Sequence, residues 1–241
     1  MAPTVLEVSN LSSGFLVNPP AAGEGVCQIC WTFCAPYPRC YPCGRENPDV
    51  LDLVVPITMS AEGSQTHMML RQYKDGFDEE TRRHQQVRLT AILWRWLEAH
   101  EGCIADRIGQ RADFVTTVPS GDPQRDDTHP LRKIVGEWTR PTRDRYRRIL
   151  RRTDVPATDH VYSAEKYQAT ESLDGKAILL IEDTWTKGAN SQAAATALRD
   201  AGASSVVCVV IGRHINPDYS DNKARLAALP RPFDWDRCAL C

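Results

Sequence analysis

The sequence predicts an α/β protein in which a parallel sheet is flanked by helices, with a small cysteine-rich module near its N-terminus. The continuous apolar run at residues 178–181 is typical of a strand covered on both faces. An alanine-rich stretch from Ser191 follows it, with the pattern of a helix that Gly202 ends. A second short buried strand is predicted at residues 114–118, and two C-x₂-C pairs lie within residues 27–43.

Composition limits the class of protein. The chain has 241 residues, 25% of them charged and 42% hydrophobic, with a net charge of −2. This balance is typical of a globular protein, and the whole chain lacks the positive charge of a polyanion-binding protein. No apolar run approaches the ~18 residues that a membrane span needs, and the first residues lack the basic and apolar segments of a signal peptide. We therefore expect a cytoplasmic protein with no membrane partner.

The stretch from Lys176 to Ala203 carries the most chemical information. Glu182 and Asp183 follow the apolar run directly, and a small polar loop leads from them into the helix. Such a loop collects free backbone N–H groups at the positive end of the helix dipole, which favours phosphate. Carboxylates beside a phosphate need hydroxyl groups or a metal ion, and a ribose 5-phosphate supplies the hydroxyls. The candidate phosphate-binding residues are Thr184, Thr186, Lys187, Gly188, Ala189 and Asn190.

Two earlier segments offer further anion contacts. Residues 50–59 read as a strand and residues 67–72 as a second element, and together they predict a hairpin that ends in Tyr73-Lys74-Asp75-Gly76. On the residues alone, Lys74 is either a solvated turn residue or a phosphate ligand. After the strand at 114–118, a loop with Ser120 and Gly121 presents N–H groups to an anion, and a helix is predicted to follow through residues 130–138.

The cysteines predict metal binding, because clustered cysteines in a cytosolic protein favour metal over disulfides. Four of them have the spacing of a tetrahedral structural Zn²⁺ site. They are Cys27, Cys30, Cys40 and Cys43. Cys34 leaves the ligand set ambiguous. Cys238 and Cys241 form another C-x₂-C pair. Three alternatives stay open for it: it joins the N-terminal cysteines, forms a second site with Cys34, or stays reduced without a metal.

The other segments complete the layout. Residues 1–20 read as a linker, and an amphipathic helix is predicted at residues 79–100, begun by Asp78 and ended by Gly102. Trp94 and Trp96 on this helix suggest a homodimer. Residues 154–175 read as irregular. The next buried strand is predicted at 206–211, with a last helix at about 220–229. The predicted domains are residues 1–48, a linker with the cysteine module, and residues 49–241.

Residues 139–152 hold seven arginines and one aspartate. A run of this kind is usually a solvated face, but it also attracts diphosphate or nucleic acid. Nucleic acid therefore stays open as a partner.

The stretch ILLI-ED-TWTKGAN at 178–190 resembles the phosphoribosyl-diphosphate (PRPP) motif of type I phosphoribosyltransferases, which has four apolar residues, two acids and a Thr-rich loop with Gly. It departs from that motif at Lys187, where the family usually has Thr, Ser or Gly, and at Glu182, where Asp is usual. With the paired cysteines, LRQYKDG at 70–76 and the VPS loop, the chain is similar to the ComF-like branch of that family, which joins a cysteine zinc module to the type I fold.

The resemblance implies a function. It implies a transferase that uses PRPP and Mg²⁺ to transfer ribose 5-phosphate to a nitrogen nucleophile, with release of diphosphate. Glu182 and Asp183 would hold the ribose hydroxyls, and Lys74, Ser120 and Gly121 the diphosphate. Two alternatives stay open: a non-catalytic PRPP or nucleotide sensor on the same fold, and a ComF-like protein that binds DNA through the zinc module and the arginine run.

Overall fold

The structure is a computed structural model that describes residues 3–120, 126–156, 158 and 160–241. Gly121, one of the predicted diphosphate ligands, lies outside the described residues. Among the described residues, no helix is both long and apolar enough to cross a membrane.

The elements alternate between strands and helices along most of the chain. The first are α1 (Val5–Asn10), a π-helical turn (Pro42–Glu46), β1 (Leu53–Ala61), α2 (Gln65–Asp75), α3 (Glu79–Ile108) and β2 (Phe114–Thr117). Then come α4 (Pro130–Lys133), which continues into a π-helical turn (Ile134–Trp138), α5 (Arg140–Arg143), β3 (Leu150–Arg152), a 3₁₀ turn (Ala164–Lys166) and β4 (Tyr167–Ala169). The last are β5 (Ala177–Trp185), α6 (Ala189–Asp200), β6 (Ser205–Ile215) and α7 (Asn222–Ala227).

The main sheet has four strands in the order β1-β6-β5-β2, and all three pairings are parallel. β5 therefore lies inside the sheet, with Thr117 of β2 paired to Ile181 on one side and Val210 of β6 paired to Glu182 on the other. A separate two-stranded antiparallel sheet joins β3 to β4. The parallel pairing brings the carboxyl ends of β2, β5 and β6 to one edge, where ligands bind in open α/β sheets.

Both faces of the sheet are covered, as its apolar strands require. One hydrophobic cluster joins the sheet to α2, α3 and the C-terminal residues Phe233, Trp235 and Cys238. The other joins the opposite face to α6 and to Cys27, Cys30 and Cys43 of the N-terminal cluster. The predicted fold class is confirmed: a parallel sheet flanked by helices, with an N-terminal cysteine cluster packed against it. The domain boundary at residue 48 stays a prediction.

The predicted hairpin at 50–74 is wrong, because its second element is helix α2. Ser64 begins this helix by accepting a hydrogen bond from the His67 backbone N–H at 3.2 Å. Met69, Leu70 and Tyr73 are buried together on the face that packs against the sheet, which is the spacing of a helix. β1 therefore has parallel β6 as its partner.

Two other helix predictions need correction. The reading of residues 1–20 as a linker missed α1, where Thr4 and Glu7 form a reciprocal capping box. The long helix does not end at Gly102. It continues to Ile108 and ends at Gly109, whose φ of +78° suits glycine. The extension buries Ile104 in the core, which stabilises the added residues.

Other boundaries differ by a few residues. β5 runs to Trp185, so Glu182 and Asp183 lie within the strand, and α6 begins at Ala189. Trp96 is buried in the core of its own chain, so it offers no surface to a partner. The homodimer stays a prediction.

Candidate functional site

A cleft of about 680 Å³ opens at the carboxyl edge of the sheet. Five parts of the chain line it: the end of α2, the start of α3, the segment after β2, the start of α4, and the region from the end of β5 to the start of α6. The charged and polar residues that line the cleft include Lys74, Arg82, Ser120, His129, Glu182, Asp183 and Asn190. The cleft thus joins Lys74, Ser120 and the two acids, which the sequence places far apart, and its volume lies in the range of small-molecule sites.

Asp183 is held by two donors from α2. Lys74 Nζ lies 2.6 Å from Asp183 Oδ2, and the Tyr73 hydroxyl donates a short hydrogen bond to the same oxygen. Burial opposes ionisation of Asp183, but the charge and hydrogen bond of Lys74, with the Tyr73 hydrogen bond, hold its pKa below its usual value. Burial and then the charge of Asp183 raise the pKa of Tyr73 well above its ordinary value, so Tyr73 remains a donor.

Glu182 behaves in the opposite way. Burial and then the neighbouring charge of Asp183 raise the pKa of Glu182 well above its usual value, although Lys74 and Lys166 oppose this. The Ser191 hydroxyl, in the first turn of α6, donates a short hydrogen bond to Glu182 Oε2. Two adjacent acids thus differ in charge: Asp183 is an anion paired with a cation, whereas Glu182 favours its neutral form.

Lys166 enters the site from the segment that reads as irregular in the sequence. Its side chain is 1% exposed, and its Nζ donates to the Asn190 side-chain oxygen at 2.7 Å. Because Asn190 is in the first turn of α6, Lys166 brings positive charge to the helix N-terminus, where the dipole already favours anions. The contact between Lys166 and Asn190 forms only on folding, so no local sequence signal identifies Lys166.

His129 also lies in the cleft. Its ring is 6.3 Å from the Tyr73 ring, and its Nδ1 accepts a hydrogen bond from the Leu131 backbone N–H at 3.3 Å. Burial lowers the pKa of His129 despite the opposing charge of Asp183, so the ring is neutral at pH 7. With Nδ1 acting as acceptor, the proton sits on Nε2. His129 therefore offers a neutral N–H donor, and the sequence reading missed it.

The loop before α6 is shaped by Trp185. Gly188 has φ +86°, and a Cβ at this position would lie 2.1 Å from the Trp185 ring. Glycine is therefore required by the ring beneath the loop as well as by the backbone. Gly188 precedes α6 without a side-chain cap, and this leaves backbone N–H groups at the helix N-terminus without a side-chain acceptor.

The predicted phosphate-binding residues divide between two surfaces. Asn190 lines the cleft, whereas Thr186 and Lys187 are exposed and line a neighbouring groove of about 830 Å³ beside the cysteine cluster. Lys187 Nζ lies 3.6 Å from a Glu46 carboxylate oxygen. Thr184 is half-buried and Ala189 is buried. In this conformation Lys187 is directed towards the cysteine module, away from the acid pair.

Ser120 lines the cleft as expected for a residue after β2. Its backbone N–H donates to Asp126 Oδ1 at 2.7 Å, and Asp126 also pairs with Arg132. An anion that binds to this N–H would therefore replace a carboxylate that is already present.

The four N-terminal cysteines predicted as zinc ligands converge. The Sγ atoms of Cys27, Cys30, Cys40 and Cys43 all lie within 4.8 Å of one another, and the Cys40 backbone N–H approaches Cys27 Sγ at 3.4 Å. Four thiols with N–H···S support are a donor set that suits tetrahedral Zn²⁺. Cys34 is outside this set, and its thiol donates to the Tyr37 carbonyl at 3.0 Å.

Arg213 joins this cluster to the loop. Its side chain is buried, with Nε donating to the Cys30 carbonyl at 2.9 Å and Nη2 contacting Cys30 Sγ at 3.2 Å. Its Nη1 donates to the carbonyls of Trp185 at 3.0 Å and Thr186 at 3.2 Å. A guanidinium here offsets the negative charge of a four-thiolate zinc site and fixes the loop to it.

Both metal sites predicted for Cys238 and Cys241 are wrong. The pair joins neither the N-terminal cysteines nor Cys34; it lies against α3, beside His100 and Cys103. The sequence could not place it, because the partners are more than 130 positions away and the helix was expected to end before Cys103.

Several arginines of the run at residues 139–152 form ion pairs or hydrogen bonds within their own chain. Arg145 Nη2 lies 2.6 Å from Glu101 Oε1, and Arg148 pairs with Asp127. Arg151 donates to the side-chain oxygen of Gln168 at 2.6 Å. These contacts use part of the charge that a nucleic acid would need, and the nucleic-acid partner stays a prediction.

The site is thus a cleft that contains an acid pair near the end of a parallel strand, beside Lys74 and the N-terminus of α6. No protein-family model matches the sequence, and no curated protein matches it. Among solved structures, the chain is similar to one described as the allosteric regulatory enzyme of purine biosynthesis, with 19% identity and a TM-score of 0.29. The match covers 49% of this chain and only 26% of the other, so it spans about a quarter of that chain's length.

Proposed function

We propose that this protein is a phosphoribosyltransferase of the type I class, which binds PRPP with Mg²⁺ and transfers ribose 5-phosphate to a nitrogen nucleophile with release of diphosphate. The observation that carries the proposal is the pair Glu182 and Asp183 near the end of β5, one short loop before an uncapped helix N-terminus and beside Lys74 in one cleft. The cysteine module packed on the same sheet supports the ComF-like branch.

The ligand groups match the chemistry of the cleft. The 5-phosphate is bound by the N–H groups at the start of α6, with Lys166 and Asn190 adding charge and a polar side chain. The ribose hydroxyls donate to Asp183, which is already ionised, and to Glu182. The diphosphate takes Lys74 and the segment that begins at Ser120, as the resemblance implies.

Binding exchanges one partner of Asp183 for another. Lys74 Nζ and the Tyr73 hydroxyl occupy Asp183 Oδ2 in this structure. When diphosphate enters, Lys74 moves its charge to the phosphate, and the ribose hydroxyls replace it on the carboxylate. Each buried charge then keeps a partner, so neither is left unpaired.

The chemical step separates charge along the C1–oxygen bond. The bond to diphosphate breaks with its electron pair on the leaving oxygen, positive charge develops on the ribose, and the nitrogen nucleophile forms the new bond to C1. Lys74 and the neutral Nε2–H of His129 stabilise the leaving group. Glu182 and Asp183 would hold Mg²⁺ through their carboxylate oxygens, and the ion would supply further stabilisation of the charge on diphosphate.

Calorimetric titration of PRPP with Mg²⁺, with diphosphate release followed against a panel of bases and ammonia, tests the proposal. We expect binding in the wild type that is reduced at least tenfold in Asp183→Asn. Asp200→Asn, the same change at an exposed position at the far end of α6, is the matched control and should bind as the wild type does. Equal binding by all three proteins would refute the assignment of the site.

A PRPP sensor without catalysis is the second candidate, because the negative charge of Asp183 is already paired with Lys74 and the Lys187 side chain is directed at Glu46. In that case PRPP binds and depends on Asp183, but no diphosphate is released with any nucleophile. The same experiment therefore separates the two candidates.

A further inference from the structure

A second cluster of metal-binding side chains lies away from the cleft. His100 and Cys103 lie on α3, and Cys238 and Cys241 lie in the C-terminal segment. One donor atom from each of the four comes within 4.8 Å of all the others. The separations include 3.0 Å between Cys238 and Cys241 Sγ, 3.6 Å between Cys241 Sγ and His100 Nδ1, and 3.9 Å between Cys103 Sγ and His100 Nδ1.

Each half of the cluster has a geometry that suits a metal. His100 and Cys103 are three residues apart on one helix, so their side chains lie on the same face. Cys238 and Cys241 form a C-x₂-C turn, and the Leu240 backbone N–H donates to Cys238 Sγ at 3.2 Å. Two such pairs approaching from opposite sides are the usual construction of a tetrahedral zinc site.

The tautomer of His100 is set by the same segment that brings the cysteines. His100 is 2% exposed, and its Nε2 lies 2.9 Å from the Trp235 carbonyl oxygen. A carbonyl only accepts, so Nε2 carries the proton and Nδ1 turns its lone pair to the three thiols. Ligating histidines usually have such a second partner. Here it is supplied by a residue of the C-terminal segment itself.

A disulfide would use only part of this arrangement. The Cys103 and Cys241 Sγ atoms are 2.6 Å apart, which is longer than the ~2.05 Å of an S–S bond. A disulfide would also leave one thiol and the oriented imidazole without a purpose. A Zn²⁺ ion would use all four groups. Zn–S bonds of ~2.3 Å place tetrahedral sulfurs ~3.8 Å apart, so the Cys241 sulfur, which lies 2.6 Å from Cys103 Sγ and 3.0 Å from Cys238 Sγ, moves outward by about 1 Å around the ion.

We propose that His100, Cys103, Cys238 and Cys241 bind a second, structural Zn²⁺ ion that fastens the C-terminal segment to α3. The segment packs Phe233 and Trp235 into the same hydrophobic cluster as α3. Three thiolates and a neutral imidazole close the coordination sphere, so the ion holds structure and takes no substrate. The proposal is independent of the function assigned to the cleft.

Zinc content of the full chain, purified under reducing conditions, tests the proposal by elemental analysis and native mass spectrometry. We expect two zinc ions per chain in the wild type and one in either Cys241→Ser or Cys27→Ser. The double variant should hold none. Cys34→Ser changes a cysteine outside both clusters and should keep two.

A second readout separates loss of metal from loss of fold. Hydrogen exchange of residues 233–241 should accelerate in Cys241→Ser and His100→Ala, while the segment around Cys27 keeps its protection and its zinc. One zinc per wild-type chain that Cys241→Ser keeps, or two retained in Cys241→Ser, would overturn the proposal. A mass 2 Da lower in the wild type under non-reducing conditions, with one zinc, would establish a disulfide instead.

Discussion

The contact between Lys74 and Asp183 gives the sharpest quantitative prediction. Lys74→Met keeps most of the side-chain volume and removes the charge that faces Asp183 Oδ2 at 2.6 Å. Tyr73 still donates to Asp183 after this change. The variant therefore isolates the charge of Lys74, both in the stability of the protein and in the pKa of Asp183.

The expected size follows from the geometry. Unit charges 2.6 Å apart attract by roughly 6 kcal/mol at an effective dielectric constant of about 20. Desolvation offsets much of this, and the Lys74 side chain is 32% exposed while that of Asp183 is 12% exposed. Removing one partner of a fully buried pair costs about 3–5 kcal/mol. With solvent access at Lys74 and Tyr73 retained, we expect Lys74→Met to lower the free energy of unfolding by about 2 kcal/mol at pH 7.

The effect also has a defined pH dependence. A carboxylate with a lowered folded pKa contributes stability above its unfolded pKa of about 3.9, and that contribution is lost as pH falls through the folded pKa. Lys74→Met raises the folded pKa of Asp183. The variant should therefore lose less stability than the wild type as pH falls below about 4, and the difference in stability between the two proteins should narrow there.

Urea denaturation of the wild type, Lys74→Met, Asp183→Asn and the double variant forms a double-mutant cycle that measures the coupling directly. We expect a coupling of about 1.5–3 kcal/mol, as for hydrogen bonds to charged groups. Additive effects of the two single variants within about 0.5 kcal/mol would refute the reasoning, because they would show that the two side chains do not stabilise each other in solution.

Three further predictions use the same assays. Glu182→Gln should raise the free energy of unfolding by about 0.5–2 kcal/mol at pH 8 and by less at pH 5 in denaturant titrations. The reason is that the folded pKa of Glu182 is raised, so its neutral form stabilises the fold at low pH and this contribution is lost as pH rises through that pKa. Gly188→Ala should lower the free energy of unfolding by about 1–3 kcal/mol and weaken PRPP binding, since its Cβ would meet the Trp185 ring. Gly175→Ala, at φ +71° with no atom near the added Cβ, has only the backbone strain and should lower the free energy of unfolding by less. Arg213→Lys keeps the positive charge but loses the guanidinium hydrogen bonds that link the cysteine module to the loop. We therefore expect elemental analysis to show that zinc is retained and calorimetry to show a lower affinity for PRPP.

The parts of the fold that the sequence predicts are those written in local patterns. The apolar run at 178–181 predicts the centre of β5, because a strand covered on both faces needs no partner information to be recognised. Its end at Trp185 was not predicted, because Trp185 is held in the strand by pairing with Arg213 of β6. Strand ends that depend on a distant neighbour have no local signature.

The cleft shows the same limit in its chemistry. The acid pair and Asn190 lie in a single motif, so sequence reasoning could place them together, between the end of β5 and the start of α6. Tyr73 lies next to Lys74, yet its role was missed because the segment was read as a hairpin; a helical reading, with Met69 and Tyr73 four residues apart, would have turned both towards the core. Lys166 reaches Asn190 only through tertiary folding.

The two cysteine clusters show most directly which parts of a metal site can be predicted from spacing in the sequence. The N-terminal four are separated by sixteen positions at most, and their spacing alone limits them to one site. The C-terminal pair has the same C-x₂-C spacing, but its partners are a histidine and a cysteine on a helix, and nine cysteines and six histidines allow many such combinations. What selects His100 and Cys103 is the continuation of α3 past Gly102, which keeps both side chains on one face, and the packing of Trp235 beside His100. The spacing in the sequence thus identifies the C-x₂-C pair, but only the fold brings His100 and Cys103 to it.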